Sequence, residues 1–281
     1  MLDCAERRVG ATLRGVRMRR ISVSWMCGAS IVWMSGVCYS NEAETPAVTP
    51  YRPSVSTPAQ LSAPGWLEAE FGWLRAASDG TDRDSVSYTL KLALTSDWGI
   101  RIGGEAVVRE VLPAGGSRYT FGDTAFVLKR RLVAGHEGAW GRLTNAAFGL
   151  EGGVVAPTAR DGIGSSAYTV NSIFSTDIGA WHSDTNVFGT RLTAANPVVG
   201  RWQWGWASAL SRNITDRWGV VGEVSGSHQA NTTDTAQVLF AGSYALSSGS
   251  VVDGGLARSL QRASAATQVF AGVTVILGRV R

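Results

Sequence analysis

Residues 84–109, DSVSYTLKLALTSDWGIRIGGEAVVR, carry two alternations in succession. Val86, Tyr88, Leu90, Leu92 and Leu94 are apolar, and the residues between them, Ser85, Ser87, Thr89, Lys91 and Ala93, are small or polar. Thr95, Ser96 and Asp97 supply turn chemistry. Trp98, Ile100, Ile102, Gly104, Ala106 and Val108 then alternate with Gly99, Arg101, Gly103, Glu105, Val107 and Arg109. Because successive side chains of a strand point to opposite faces, the stretch reads as a hairpin of two long strands. One face is apolar and the other bears Lys91, Arg101, Glu105 and Arg109. A soluble sandwich and an outer-membrane barrel both produce this pattern. Length separates them: about 9 to 11 tilted residues cross a bilayer, whereas strands of soluble domains average about 5 to 6. Both strands here reach the longer value.

Outward from the hairpin, twelve runs read as strands, near 66–76, 84–94, 98–108, 122–132, 140–155, 166–178, 181–192, 201–210, 217–227, 235–246, 251–260 and 267–277. No comparable stretch has apolar residues at helical spacing with caps. The connections alternate: 95–97, 179–180 and 247–250 are tight, 133–139 and 211–216 somewhat longer, and most of the others longer still and polar or Gly-rich. Membrane barrels sort their loops in this way, because one rim faces the periplasm and the other the exterior. Trp66, Trp98, Trp140, Trp181 and Trp218 each open an odd-numbered run after a shorter turn or after the N-terminal stretch. That position suits an interfacial aromatic belt, although Trp66 has the opposite parity to Leu67, Phe71 and Trp73. The fold class expected is all-β, a closed antiparallel transmembrane barrel of about 12 strands over 65–281. Leu90, Leu92, Ile100 and Ile102 are then expected to face lipid, and a Lys or Arg at Leu90 to destabilise the barrel.

The N-terminus has a different character. Of 26 basic and 22 acidic residues in the chain, residues 1–40 hold six arginines against Asp3 and Glu6, leaving 20 of each sign in the remainder. The positive charge therefore belongs to the leader, and no nucleic-acid partner is expected. Arg17, Arg19 and Arg20 precede a moderately apolar run, Ile21 to Val37, and Cys38 and Ser40 are small. The stretch 1–40 reads as a signal peptide, with Met18 a candidate start. A transmembrane helix and a lipidated Cys38 are competing readings, weakened by internal Ser and Gly and by the bulk of Val37. All three cysteines (Cys4, Cys27 and Cys38) fall in this leader, so neither disulfides nor Cys metal sites are expected afterwards. Residues 41–64 hold five of the eight prolines and read as an extended periplasmic linker.

Lys91, Arg101, Glu105, Lys129, Arg131, Glu151 and Glu223 fall on the inward parity and are the candidate lumen-lining, selectivity-setting residues, with Glu70, Arg109, Asp177 and Asp253 on the same face. Buried charges must pair or be hydrated, so this pattern fits either a narrow wet channel or a lumen filled by ion pairs. Asp161 to Ala167, DGIGSSA, looks like a dinucleotide loop, but the alternation after it is strand-like and offers no helix N-terminus to a pyrophosphate. His136, His182 and His228 are too dispersed for a metal site. His182 beside Asp184 allows a lipid hydrolase, yet no nucleophile elbow is present. Asn213 and Asn231 open sequons that carry no weight in a bacterial barrel. Neither a cofactor, nor a metal, nor an enzymatic activity is expected.

Several blocks resemble the outer-membrane β-barrel family named for the meta-cleavage pathway of phenol degradation. They are Gly122, Asp123 and Lys129 in GDTAFVLKRRL; Ala156, Pro157, Thr158 and Gly162 to Ser165 in APTARDGIGSS; Asp184 and Asn186 in HSDTNVFGTRL; and the last strand, AGVTVILGR. The resemblance covers roughly residues 64 to 279. Ala159 stands where Gly is common in the family, and the chain ends Gly278, Arg279, Val280, Arg281 without the terminal aromatic of barrel-assembly signals. The resemblance implies an outer-membrane channel or transporter-like barrel for small hydrophobic or aromatic molecules. Its partners would be outer-membrane lipid, a small-molecule solute and the barrel-assembly machinery. The alternatives are a plugged structural barrel that binds a surface partner and, third, the membrane-embedded lipid hydrolase.

Overall fold

The computed structural model describes residues 45–280 apart from 79–80, 112–114, 136–142, 160–164, 195–199 and 262–265. The expected signal peptide at 1–40, the first residues of the Pro-rich stretch, Trp140, His136 and 161–164 of the glycine loop lie outside the described residues.

Among the described residues, thirteen strands form one antiparallel sheet. They are β1 (Trp66–Ser78), β2 (Thr81–Ala93), β3 (Trp98–Val111), β4 (Ser117–Thr120), β5 (Thr124–Val133), β6 (Leu143–Ala156), β7 (Ala167–Ile178), β8 (Trp181–Leu192), β9 (Trp202–Asn213), β10 (Trp218–Gln229), β11 (Thr235–Ser247), β12 (Ser250–Ser259) and β13 (Ala266–Arg279). Each pairs with its sequence neighbour, and β1 pairs with both β2 and β13, which closes the sheet on itself. Closure removes the unpaired edge that a lipid phase would not tolerate. The short β4 and the longer β5 lie along the same side of β3, against Val108 to Val111 and Trp98 to Gly103 respectively. Together they make a single stave broken at 121–123, so the barrel has the twelve staves that the alternation predicts.

Exposure along the strands is the reverse of a soluble protein's. The large apolar side chains of the outer face are open, among them Phe126, Val170, Val187 and Phe240, the last 59% exposed. Several charged residues of the inner face are buried: Glu68 is 0% and Lys91 3% exposed. Leu90, Leu92, Ile100 and Ile102 share the outward parity, with Leu90 facing Ile102 and Leu92 facing Ile100 across the β2–β3 pair. An apolar exterior around a polar interior is the pattern of a barrel whose solvent is lipid.

One inward expectation is corrected. Between Val86 and Ser87 the partner on β3 jumps from Val107 to Glu105, leaving Ala106 as an extra residue. A bulge of one residue exchanges the two faces beyond it. Arg109 therefore leaves the lumen parity and pairs with Asp84 at 3.1 Å near the long-loop rim.

Candidate functional site: an N-terminal segment inside the lumen

Proline keeps residues 45–64 out of strand pairing, because each ring removes a donor and fixes φ. The backbone groups of such a segment still need partners, and here the inner wall supplies them. Val48 donates to the Ser248 carbonyl in the β11–β12 turn, and Gly65 donates to Ala93, so the segment begins and ends at the short-turn rim. Between those points it rises into the barrel and returns. The linker expected outside the barrel is thus extended, without strand or helix, but it runs inside the lumen.

Acidic side chains of the wall collect its amides. Thr49 donates to Glu68 at 3.3 Å, Tyr51 to Glu70 at 2.7 Å, and Val55 and Ser56 to Glu223 at 3.1 and 2.8 Å. Lysines collect its carbonyls: Lys91 donates to Thr49 and Lys129 to Pro58. Ala59 donates to the Ser175 hydroxyl at 2.7 Å and lies among Ala147, Ile173 and the bare backbone of Gly149. The side-chain amide of Asn186 meets Thr57 at 3.2 Å. Hydrogen bonds to ionised groups are the stronger kind, so each end of the segment is held by charge and its apex by Glu223.

Tyr51 is the centre of the arrangement. Lys91 and Lys129 sit over its ring at 4.2 and 4.3 Å from the centroid, and Arg101 stands at 5.8 Å. Three carboxylates balance these three cations. Lys91 reaches Glu68 at 3.0 Å and Glu70 at 2.5 Å; Glu151 takes Arg101 at 3.2 Å and Lys129 at 3.6 Å. The phenol accepts from Lys129 at 3.0 Å and faces the Gln60 carbonyl at 3.4 Å. Burial, seconded by the Glu151 carboxylate, pushes its pKa far above the ordinary phenol value, so Tyr51 stays neutral and keeps its proton.

Arg52 forms the second anchor. Its guanidinium forks onto Asp253 at 3.3 and 3.4 Å and lies across Gly72 and Gly272, which face each other in the β1–β13 pair. A methyl at either glycine would overlap the guanidinium. Gly272→Val is therefore expected to displace Arg52 and to cost about 1 to 3 kcal/mol by overpacking. Denaturant titration should read that cost, while migration in unheated SDS gels still reports a closed barrel.

Of the seven inward candidates, the structure brings Lys91, Arg101, Lys129 and Glu151 together around Tyr51 and places Glu223 against Ser56. Glu105 is elsewhere, bound to Arg83 at 2.6 Å toward the long-loop rim. Arg131 clamps Asp97 of the β2–β3 turn at 3.1 Å, at the opposite rim. Trp98, Trp181 and Trp218 stand on the outer parity at the short-turn rim. Arg130 lies 4.9 Å above the first, Arg212 lies 5.7 Å above the second, and Tyr244 lies 4.8 Å from the third. Trp66 opens β1 at the same rim but keeps the parity of Glu68, toward the interior. Trp202 and Trp204 stack at 5.6 Å on the outer face of β9 at the other rim.

Two solved structures share this architecture. An outer membrane channel from Pseudomonas putida F1 superposes with a TM-score of 0.60 at 11% identity, over 78% of this chain and 98% of that one. The KdgM porin in complex with disordered oligogalacturonate gives 0.50 at 7% identity, over 73% and 98%. No protein-family model matches the chain, and no curated protein matches it with significance. The chain has the fold of an outer-membrane β-barrel.

Within that barrel the geometry opposes a hydrolytic site. Both ring nitrogens of His182 are held by carboxylates, Nδ1 by Asp177 at 2.5 Å and Nε2 by Asp184 at 3.2 Å. The nearby Ser175 hydroxyl bonds to Asp184 and receives the Ala59 amide, so among the described residues no serine is aligned with the imidazole as a triad requires. Among the described residues no group of three His, Cys, Asp or Glu side chains is placed to hold a metal. Two of the blocks that carry the family resemblance meet. Asp123 accepts from the Ala159 amide at 3.0 Å, joining the break in the fourth stave to the β6–β7 loop. Asp184 and Asn186 lie on the inner wall beside the segment.

Reading the sequence by strand parity missed Tyr51, Arg52, Glu68, Ser175 and Asn186. A signal was present for the first two: an aromatic and a cation adjoin each other between Pro50 and Pro53, in a stretch that a solvated linker would leave plain.

Proposed function

We propose that this barrel is a gated outer-membrane channel for small molecules and that residues 45–64 are its built-in plug. The observation that carries the reading is the division of the lumen. A cavity of about 400 Å³ lies toward the long-loop rim with Val55 in its lining, and one of about 370 Å³ lies toward the short-turn rim with Ser54 and Ser56 in its lining. The turn of the segment at Arg52 to Ser56 separates them. Lys91, Arg101, Lys129, Glu151 and Glu223 then act chiefly by holding the plug, and Glu105 and Arg131 lie nearer the two mouths. The resemblance to the phenol meta-cleavage family makes small hydrophobic or aromatic compounds the cargo it implies. Such compounds would have to pass a lumen lined largely by hydrogen-bonding groups. The paired charges favour a second reading, a permanently plugged barrel with an interaction role at its loops.

Planar-bilayer recording separates the two. The full chain is expected to give brief or small currents, and a chain lacking residues 45–62 steady and larger ones, because water replaces the plug along the same wall. A deletion variant that folds by its unheated gel mobility yet passes no current would rule out the channel.

A further inference from the structure

The cavity toward the long-loop rim differs in chemistry from the rest of the lumen. Its walls come from β8 to β13, and seven of its lining side chains are neutral hydrogen-bonding groups: Gln203, Ser225, Ser227, Thr235, Gln237, Ser259 and Gln268. Among the described residues its lining contains no Asp, Glu, Lys or Arg. The charges nearest below it are occupied, Glu223 by the amides of Val55 and Ser56 and Asp253 by Arg52.

These groups are also arranged. Gln203 donates to the Ser227 hydroxyl at 3.3 Å, and Ser227 meets the Thr235 hydroxyl at 2.8 Å, so one wall is a fixed relay. Gln237 faces Ser259 across the β11–β12 pair, and Gln268 lies one strand further on. Among the described residues the amides of Gln237 and Gln268 have no side-chain partner, and each offers both donors and an acceptor to the cavity. Opposite them Phe188 lies against Gly205, where the absence of a Cβ lets the ring settle on the wall. Phe188, with Val55, Ala236 and Ala266, thus gives the cavity an apolar part beside its amides and hydroxyls.

Ligand classes can be ranked by what this lining would leave unsatisfied. An anion or cation would enter without a counter-charge. An aromatic hydrocarbon would strip water from the two glutamine amides and return no hydrogen bond. A ligand whose hydroxyls both donate and accept, and whose C–H faces cover Phe188 and Val55, matches both kinds of lining group. A volume near 400 Å³ lies within the range of small-ligand sites.

We propose that this cavity is a binding site for a neutral polyhydroxylated solute, a short uncharged saccharide in chemical class. The inference deepens the channel reading and relies on it for the route of entry and exit. The site is tested by saturation-transfer NMR titration of the full chain in amine-oxide micelles, a detergent free of sugar, with maltose, digalacturonic acid and phenol as probes. Saturable transfer to maltose is expected, with no saturable transfer to the acid or to phenol. Gln237→Leu and Gln268→Leu are each expected to weaken maltose about tenfold, the loss of one hydrogen-bonding side chain. Unheated gel mobility should be unchanged, since both positions lie above the plug. Absence of saturable transfer to maltose, preference for either other probe, or unchanged maltose affinity in both folded variants would overturn the assignment. The channel reading is scored separately, by current through the same preparation. Conduction without maltose binding removes the site and leaves the channel, and maltose binding without conduction does the reverse.

Discussion

Lys91→Met is expected to lower the unfolding free energy by about 3 to 5 kcal/mol, the cost of breaking a buried ion pair by removing one partner. Lys91, Glu68 and Glu70 are 3%, 0% and 3% exposed, so their charges cannot be stabilised by bulk water. Lys91 serves both carboxylates, donates to the Thr49 carbonyl as a third partner and covers one face of Tyr51. Its nearest substitute, Lys129, is committed to Glu151, Pro58 and the Tyr51 phenol. Methionine keeps the length of the side chain and leaves two adjacent buried carboxylates facing each other without a cation. Glu70→Gln added to Lys91→Met should restore part of the loss, a coupling that a double-mutant cycle measures directly. Guanidinium titration of the barrel in detergent is the measurement. A loss below about 1 kcal/mol, the value of an exposed pair, would mean that the lumen around Tyr51 is hydrated and the plug loosely held.

Phe240→Arg carries the second largest effect, about 2 to 4 kcal/mol for a cation near the bilayer midplane. Phe240 lies near the middle of β11, on the outer face, 59% exposed. The same substitution at Leu246, near the short-turn end of β11, should cost about 0 to 1 kcal/mol, because the side chain reaches the headgroups there. The contrast between depths is the informative quantity. In a barrel surrounded by water both exposed positions would stay within about 0.5 kcal/mol of neutral. Unfolding from liposomes, with both variants compared in the same lipid, reads the difference.

Much of the architecture is local in origin, and for that reason legible. Strand type follows from period-two alternation, which each run states by itself: β8 occupies 181–192 and β7 ends at 178, at the boundaries the alternation predicts. Turn residues such as Thr95 to Asp97 and the pair Gly179–Ala180 mark the tight rim in the same local way. Where a reading depended on counting parity through a strand, a single inserted residue defeated it. Ala106 sends Arg109 outward to Asp84, and nothing in the composition of GGEAVVR marks that residue as the extra one. The short β4 escaped for a related reason, since Ser117 to Thr120 is too brief and polar to alternate visibly.

The Pro-rich stretch shows the boundary between the two kinds of information. Its composition determines that it pairs in no strand, because five prolines cannot supply ladder donors. Its place in the lumen is decided by partners scattered over the chain: Glu68 and Glu70 on β1, Lys91 on β2, Lys129 on β5, Ser175 on β7, Glu223 on β10 and Asp253 on β12. None of them is adjacent to it in sequence, and each is brought within hydrogen-bonding distance only when the sheet closes. By itself, then, the sequence determined a twelve-stave barrel with one apolar face, since alternation and turn chemistry act over a few residues. Closure of the barrel alone decided that the inner charges face a folded-back segment of the same chain, because a buried backbone without strand partners is stable only where the wall provides both its donors and its acceptors.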